Sequence, residues 1–330
     1  MPTVFVTGGA GYVGAHCCKA FAEAGWTVVV YDNLQRGWRD FVRWGELIEG
    51  DILDLEALTA AMQRVKPDAV AHFAALTFVG ESTEDPGLYY RNNVLGTLNI
   101  LAAMRASGTG ALVFSSTCAT YGPPVRLPLD ETHPQAPINP YGRTKLMAEW
   151  ALQDHDTAHG IRHVALRYFN AAGADPSGLI GERHEPETHL IPLALRGAGD
   201  ESYTLNIFGT DYDTPDGTAI RDYIHVNDLA RAHLAALDHL RRGGASEAIN
   251  LGTGTGTSVL EIRNSVEQIT GRKVNTVLGP RRAGDASRLV ADTEKAMQLL
   301  GWKAECSDID TIISTAWAWH LAELAAGRTG

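Results

Sequence analysis

The feature that most constrains this chain is its beginning. The β-branched run Thr3-Val4-Phe5-Val6-Thr7 leads without a spacer into Gly8-Gly9-Ala10-Gly11-Tyr12-Val13-Gly14. Short Val-rich runs favour strands, and the residues near 12-24 that follow carry a helical pattern. A G-x-x-G-x-x-G turn between strand and helix lets the backbone turn tightly and approach a pyrophosphate closely. The helix start then offers free N–H groups and the positive end of a dipole. A second strand follows and ends in Tyr31-Asp32, with Asp32 18 residues after Gly14. That is close to the spacing expected for a carboxylate on the adenine ribose of a dinucleotide. Such a carboxylate accepts from a 2′-hydroxyl and repels a 2′-phosphate, so NAD is favoured over NADP, a preference Arg36 weakens slightly. An ordinary tight βα turn is the competing reading, and the strand–turn–helix–strand–acid context weighs against it.

The first half of the chain continues this alternation. Strands are predicted at 3-7, 27-32, 47-50, 69-73, 111-116 and 163-168, with helices near 12-24, 54-65, 86-106 and 140-159. Runs with so little polar alternation suit a parallel sheet covered on both faces. The fold class is therefore α/β, a Rossmann-type doubly wound sheet. After Arg167 the composition shifts to Gly, Pro, Asp and Thr, and a helix–strand pair near 227-251 rejoins the main sheet. Helices follow after Ser258 and near 308-326. The expected division is 1-168 plus 227-251 for the dinucleotide, and 169-226 plus 252-330 for a smaller substrate domain over the carboxyl ends of the strands, where ligands bind in such sheets.

Composition narrows the partners. The 330 residues carry a net charge of −11 with no basic run, which argues against nucleic acid and anionic membranes. Cys17, Cys18, Cys118 and Cys306 show no metal-ligand spacing and fit reduced thiols in a cytosol. No signal peptide and no membrane-length apolar stretch is visible. The reading is a cytoplasmic protein.

The second informative stretch is Tyr141-Gly142-Arg143-Thr144-Lys145. Residues four apart share a helix face, so Lys145 can sit beside the Tyr141 phenol. A cation about 6 Å away at an effective dielectric near 20 favours the phenolate by about 2.8 kcal/mol, or roughly 2 pKa units. An oxidised nicotinamide ring would supply a second cation. Asp51-Ile52 after the third strand is open to two readings, an adenine contact or a plain helix N-cap. Phe73-Ala74-Ala75 ends the fourth strand with small residues that leave room for a cofactor.

Further motifs are Tyr31-Asp32-Asn33-Leu34, His72-Phe73-Ala74-Ala75, Val79-Gly80-Glu81-Ser82, Asn92-Asn93-Val94, Ser115-Ser116-Thr117, Arg167-Tyr168-Phe169-Asn170, Arg221-Asp222-Tyr223-Ile224-His225-Val226 and Arg281-Arg282-Ala283-Gly284-Asp285. With these the chain resembles, end to end, the extended short-chain dehydrogenase/reductase superfamily, and within it the UDP-hexose 4-epimerases that interconvert UDP-galactose and UDP-glucose. The resemblance implies a catalytic set of Thr117, Tyr141 and Lys145. Tyr141 takes the proton of the sugar 4-OH as hydride leaves C4, Thr117 orients the same oxygen, and Lys145 holds the nicotinamide ribose and depresses the Tyr141 pKa. The 4-keto sugar then turns over and the hydride returns to its other face. The implied NAD contacts are Gly8, Gly11, Tyr12, Val13, Gly14, Asp32, Asn33, Asp51, Ile52, Phe73, Ala74, Ala75, Asn93, Ser115, Tyr141, Lys145, Tyr168 and Phe169. Those to the UDP-sugar are Thr117, Tyr141, Asn170, His189, Leu190, Phe208, Arg221, Tyr223, Arg282, Asp285 and Leu289, with both arginines on the diphosphate. A homodimer is implied, paired through the helices near 86-106 and 140-159.

Related dehydratases carry an acidic pair just after the Ser/Thr, whereas Thr117-Cys118-Ala119-Thr120-Tyr121-Gly122 has none. Hydride return needs no extra acid. Thr77 stands where some relatives have lysine, Thr117 replaces the usual serine, and Leu289 leaves open UDP-N-acetylhexosamine or UDP-pentose substrates. A non-catalytic NAD-sensing protein on this fold is a rival of a different class. His155 and His159 lie four apart on a helix, and His184 and His189 flank a Pro-Glu loop. Neither pair has a third ligand at convincing spacing, so no metal site is expected.

Overall fold

A computed structural model describes residues 1–282 and 285–328; Ala283-Gly284 of the Arg281 to Asp285 motif lies outside the described residues. The apolar runs form a seven-stranded parallel sheet in the order Glu247–Leu251, Arg162–Tyr168, Ala111–Thr117, Ala69–His72, Thr3–Thr7, Thr27–Asp32, Glu46–Glu49. The first strand is central, with Val6 in register with Val30 on one side and Ala71 on the other. Because successive side chains alternate across a sheet, its residues feed two cores. Val4, Val6, Val28, Val30, Val113, Val164 and Leu166 pack on one face with Cys17, Phe21, Leu229 and Leu237 of helices Tyr12–Glu23 and Val226–Arg241. Phe5, Val29, Val70, Leu112, Phe114 and Ala165 pack on the other with Leu58, Met62, Ile100, Met104 and Leu152. Two-sided burial explains the missing polar alternation. Asp32 thereby reaches the carboxyl edge of the sheet one strand away from the glycine turn.

A third core is built by helices Leu190–Gly199, Val259–Thr270 and Ile309–Ala325 with strand Leu205–Phe208, along whose edge Thr276–Gly279 pairs in parallel. It draws on 169-226 and the residues after 252. One segment departs from the division read from the sequence. Helix Glu294–Leu300 and Trp302 pack on the first core, where the Trp302 indole donates to Asp228 O at 2.9 Å.

Two expected elements shift. The edge strand is Glu46–Glu49 rather than 47-50. The helix near 86-106 is three pieces, Pro86–Tyr89, a wide π-type turn Tyr90–Leu95, and Gly96–Ser107. The wide turn carries Asn93 inward, where its amide donates to Leu76 O and accepts from Leu76 N, both at 2.9 Å. Such turns are frequent at functional sites.

Candidate active site

The glycine turn is held by packing at three of its four glycines, Gly8, Gly9 and Gly14. Gly8 has φ +77°, and a Cβ there would lie 2.4 Å from Ala74 N; one on Gly14 would lie 2.2 Å from Gly8 O. Gly11 is different, because a Cβ there would meet only Gly8 O, at 3.4 Å. The protein could accommodate a methyl group at Gly11, which lines the open cleft. That bare surface fits a ligand lying against the backbone at the start of helix Tyr12–Glu23. The Tyr12 phenol is committed elsewhere, donating to Gly173 O at 2.6 Å.

Asp32 faces the same cleft with Asn33, Arg36, Ile52, Phe73, Ala74 and Ala75. Its carboxylate accepts from Ala10 N at 3.0 Å and Leu34 N at 2.8 Å. Burial raises its pKa, against the pull of those two N–H groups. Arg36 is occupied: its guanidinium donates to Glu81 at 2.6 Å and to Glu185 O at 3.1 Å. With Asp32 in place and Arg36 engaged, the pocket suits a ribose hydroxyl better than a 2′-phosphate. Asp51 is not the N-cap of the next helix. Asp54 is, accepting from Ala57 N, while Asp51 accepts from Leu53 N and from the Asn33 amide. An Asx turn places the acid one turn before the helix start. Asn93 is buried and also donates to Thr144 Oγ1 at 3.1 Å, so it braces the loop after the fourth strand against the Tyr141 helix.

That helix, Pro140–His159, begins where the sequence supplies an Asn N-cap followed by proline: the Asn139 side chain accepts from Gly142 N at 2.8 Å. It carries Tyr141 and Lys145 into one cleft with Thr117, Ser115, Tyr168 and Phe169. Lys145 donates to Ser115 O at 2.8 Å, and Ser115 Oγ bonds the Tyr168 hydroxyl at 2.6 Å. Burial lowers the Lys145 pKa to about 7, partly opposed by Glu149. Burial and the neighbouring Tyr168 raise the Tyr141 phenol above its ordinary value, with the Thr117 hydroxyl pulling the other way. A lysine itself brought near neutrality is a weak fixed charge, so ionising Tyr141 calls for a further cation.

One helix turn beyond Lys145 lies a supporting pair absent from the sequence reading. Glu149 and Arg167 are 2% and 4% exposed and meet at 2.5 Å, with Ser116 and the Tyr121 hydroxyl completing the network. Their side chains lock the catalytic helix to the sixth strand in the chain. Glu149 follows Lys145 by four residues, a spacing that offered the one available signal.

Eight of the substrate-side residues gather in one pocket, while Thr117 and Tyr141 line the cleft beside it. Asn170, His189, Leu190, Phe208, Arg221, Tyr223, Arg282 and Asp285 line one pocket that opens beside the cleft. The Arg282 guanidinium lies over the Phe208 ring, 4.2 Å from its centroid, and Arg221 is paired with Asp285. Leu289 is instead packed with Cys118, Tyr121, Leu129, Phe169 and Ala291, because Arg288–Leu289 forms a short parallel strand beside Ile220–Arg221. The two histidines flanking the Pro-Glu loop are not alone either. Glu182 and Glu187 bring their carboxylates to His184 and His189. Burial works against charge on His189, yet Glu182 and Glu187 raise its pKa to about 10.

A glycine turn with room for a dinucleotide, an acid at the second strand's end and a Tyr–Lys pair on one helix define an enzyme of the NAD-binding short-chain dehydrogenase/reductase kind. The model of the NAD dependent epimerase/dehydratase family matches residues 4–252, and the chain belongs to that family. It is 54% identical over 317 residues, 96% of each chain, to UDP-glucose 4-epimerase of Rhizobium meliloti. Its structure superposes on that of UDP-glucose 4-epimerase from Brucella ovis in complex with NAD with a TM-score of 0.94, at 54% identity and covering 96% and 98% of the two chains. The Stenotrophomonas maltophila enzyme of the same name, with bound NAD and formylated UDP-arabinopyranose, superposes with a TM-score of 0.95 at 40% identity, covering 99% and 100%.

Proposed function

We propose that the chain is an NAD-dependent 4-epimerase of UDP-hexoses, interconverting UDP-galactose and UDP-glucose. The observation that carries this reading is the meeting of Thr117, Tyr141 and Lys145 at the junction of a dinucleotide cleft and an arginine-lined pocket. NAD, held by the glycine turn, Asp32 and Lys145, supplies a hydride acceptor that returns the same hydride. Tyr141 takes the proton from the 4-OH and later gives it back. Thr117 holds that oxygen, and Arg221 and Arg282 grip the diphosphate while the sugar turns over. Phe208 stacks on the uracil, and Asp285 accepts from the uridine ribose. The stretch after Thr117 brings no acid for elimination. Dinucleotide binding falls to 1-168 plus 227-251, with the late helix Glu294–Leu300 attached, and UDP-sugar binding to the remainder.

The test is incubation of the purified protein with UDP-galactose alone. UDP-glucose should form without net NADH, and Tyr141→Phe should lose about 10²–10⁴ of the rate while still binding UDP. A Tyr141→Phe variant with undiminished function would point to a sensor instead. The UDP-arabinopyranose ligand in the Stenotrophomonas relative makes a UDP-pentose the first alternative to try, followed by UDP-N-acetylhexosamine.

We further propose a homodimer paired through helices Gly96–Ser107 and Pro140–His159, which expose Leu98, Met147 and Trp150. Trp150→Glu should give a monomer in sedimentation velocity. No helix of the described residues is long and apolar enough to cross a membrane, and the four cysteines are unpaired. Both suit our placement of the chain in the cytoplasm.

A further inference from the structure

We infer that Glu182, His184, Glu187 and His189 form a binding site for a divalent cation of the zinc class, in the wall shared by the cofactor cleft and the substrate pocket. Each residue offers one ligand atom, and the four atoms lie within 4.8 Å of one another. His184 Nδ1 stands 3.4 Å from Glu182 Oε1 and 3.4 Å from Glu187 Oε2. Tetrahedral ligands at zinc bond lengths sit about 3.4 Å apart, so these separations suit two ligands of one ion. They do not suit hydrogen bonds, and His184 Nδ1 is buried with no hydrogen-bond partner. His189 Nδ1 is closer, 3.0 Å from Glu182 Oε1 and hydrogen-bonded to Glu187 Oε1 at 2.8 Å, a contact whose shared proton a bound cation would displace.

The remaining valences fit. Glu187 Oε1 accepts from Thr188 N at 2.7 Å and His189 N at 2.8 Å, which fixes the carboxylate and leaves Oε2 toward His184. The Glu182 and Glu187 side chains are 8% and 9% exposed, so this is not a solvated acidic patch. Two imidazoles and two carboxylates are a donor set for zinc rather than magnesium, which prefers an all-oxygen octahedron. The loop is already fixed from both sides. The Trp319 indole donates to Glu182 O at 2.9 Å and the Trp38 indole to Arg183 O at 3.1 Å. Arg183 is itself paired with Glu323 at 2.5 Å. A cation would therefore meet ligands that are in place before it binds.

The test titrates the EDTA-dialysed holoenzyme with ZnCl2 against a chromophoric chelator. One zinc per chain should bind, with magnesium failing to compete. His184→Ala and Glu187→Gln should each weaken binding at least about tenfold. His155→Ala, in the other histidine pair, should leave it unchanged. Absence of a stoichiometric site, or a site that survives His184→Ala or disappears with His155→Ala, overturns the assignment. If His184→Ala does not fold, Glu187→Gln decides. Co2+ bound to the unaltered chain needs no variant: an intense tetrahedral visible spectrum at one ion per chain supports the site, and a weak octahedral spectrum overturns it.

Discussion

Cofactor choice in this chain should depend on a residue that does not touch the cofactor. Asp32 repels a 2′-phosphate, but removing it does not by itself create a phosphate site, because Arg36 is held by Glu81. That ion pair is 41% and 30% exposed, so it contributes only about 0.2–1 kcal/mol to stability and can be broken at little cost. A guanidinium freed to a phosphate gains a charge-assisted bond of about 1.5–3 kcal/mol, which is roughly 10–150-fold in affinity. Asp32→Ser should lower NAD affinity, since the adenine-ribose hydroxyl loses a charged acceptor worth about 1.5–3 kcal/mol. It should move the NADP-to-NAD ratio only modestly. Adding Glu81→Gln should raise NADP affinity by the further 10–150-fold, while Glu81→Gln alone changes little because Asp32 still repels the phosphate. The assay is reconstitution of cofactor-stripped protein, followed through quenching of tryptophan fluorescence by NAD and by NADP. If the double variant binds NADP no more tightly than Asp32→Ser, the reasoning about Arg36 is wrong.

The glycines make a paired prediction: Gly14→Ala, whose Cβ meets Gly8 O at 2.2 Å, should lower the melting temperature even without NAD. Gly11→Ala, whose nearest neighbour is 3.4 Å away, should melt normally without NAD and bind it more weakly. Lys145 has its folded pKa lowered to about 7 from the usual lysine value. The cost of burying its charge is therefore full below pH 7 and fades as pH rises toward the ordinary lysine range. Denaturant titrations should show Lys145→Met gaining more stability relative to the unaltered chain at pH 6 than at pH 9; a gain independent of pH would contradict this. Arg282→Ala should weaken UDP binding by about 1.5–3 kcal/mol in calorimetry, with the stack on Phe208 lost as well.

Much of this site could be read from local pattern because its parts are local. The strand Thr3–Thr7, the glycines, the Asp32 spacing and the Asn139-Pro140 helix start each act within a few residues. What was missed depends on long-range contacts or on choices between near neighbours. Asp51 and Asp54 are both plausible caps, and only the chain's path selects Asp54. Asn93 forces a wide turn into an otherwise helical stretch because its partner is Leu76, far off in sequence. Leu289 takes its place beside Cys118 and Phe169 from a strand pairing with Arg221. Arg167 and Glu149 find each other across a strand and a helix. Spacing alone could not place Glu182 and Glu187 with the two histidines, because an irregular loop brings them together. Burial at Tyr141 and Lys145 was not legible either: the spacing of tyrosine and lysine carries charge but not the desolvation that opposes it.

The proposed chemistry is a hydride that leaves C4 and returns to the same carbon while Tyr141 holds the proton. UDP-galactose deuterated at C4, turned over by the holoenzyme in ordinary water with no cofactor added, tests this directly. UDP-glucose that keeps its deuterium at C4 is the expected result. Deuterium lost to solvent, or reduced cofactor accumulating in step with product, would contradict it.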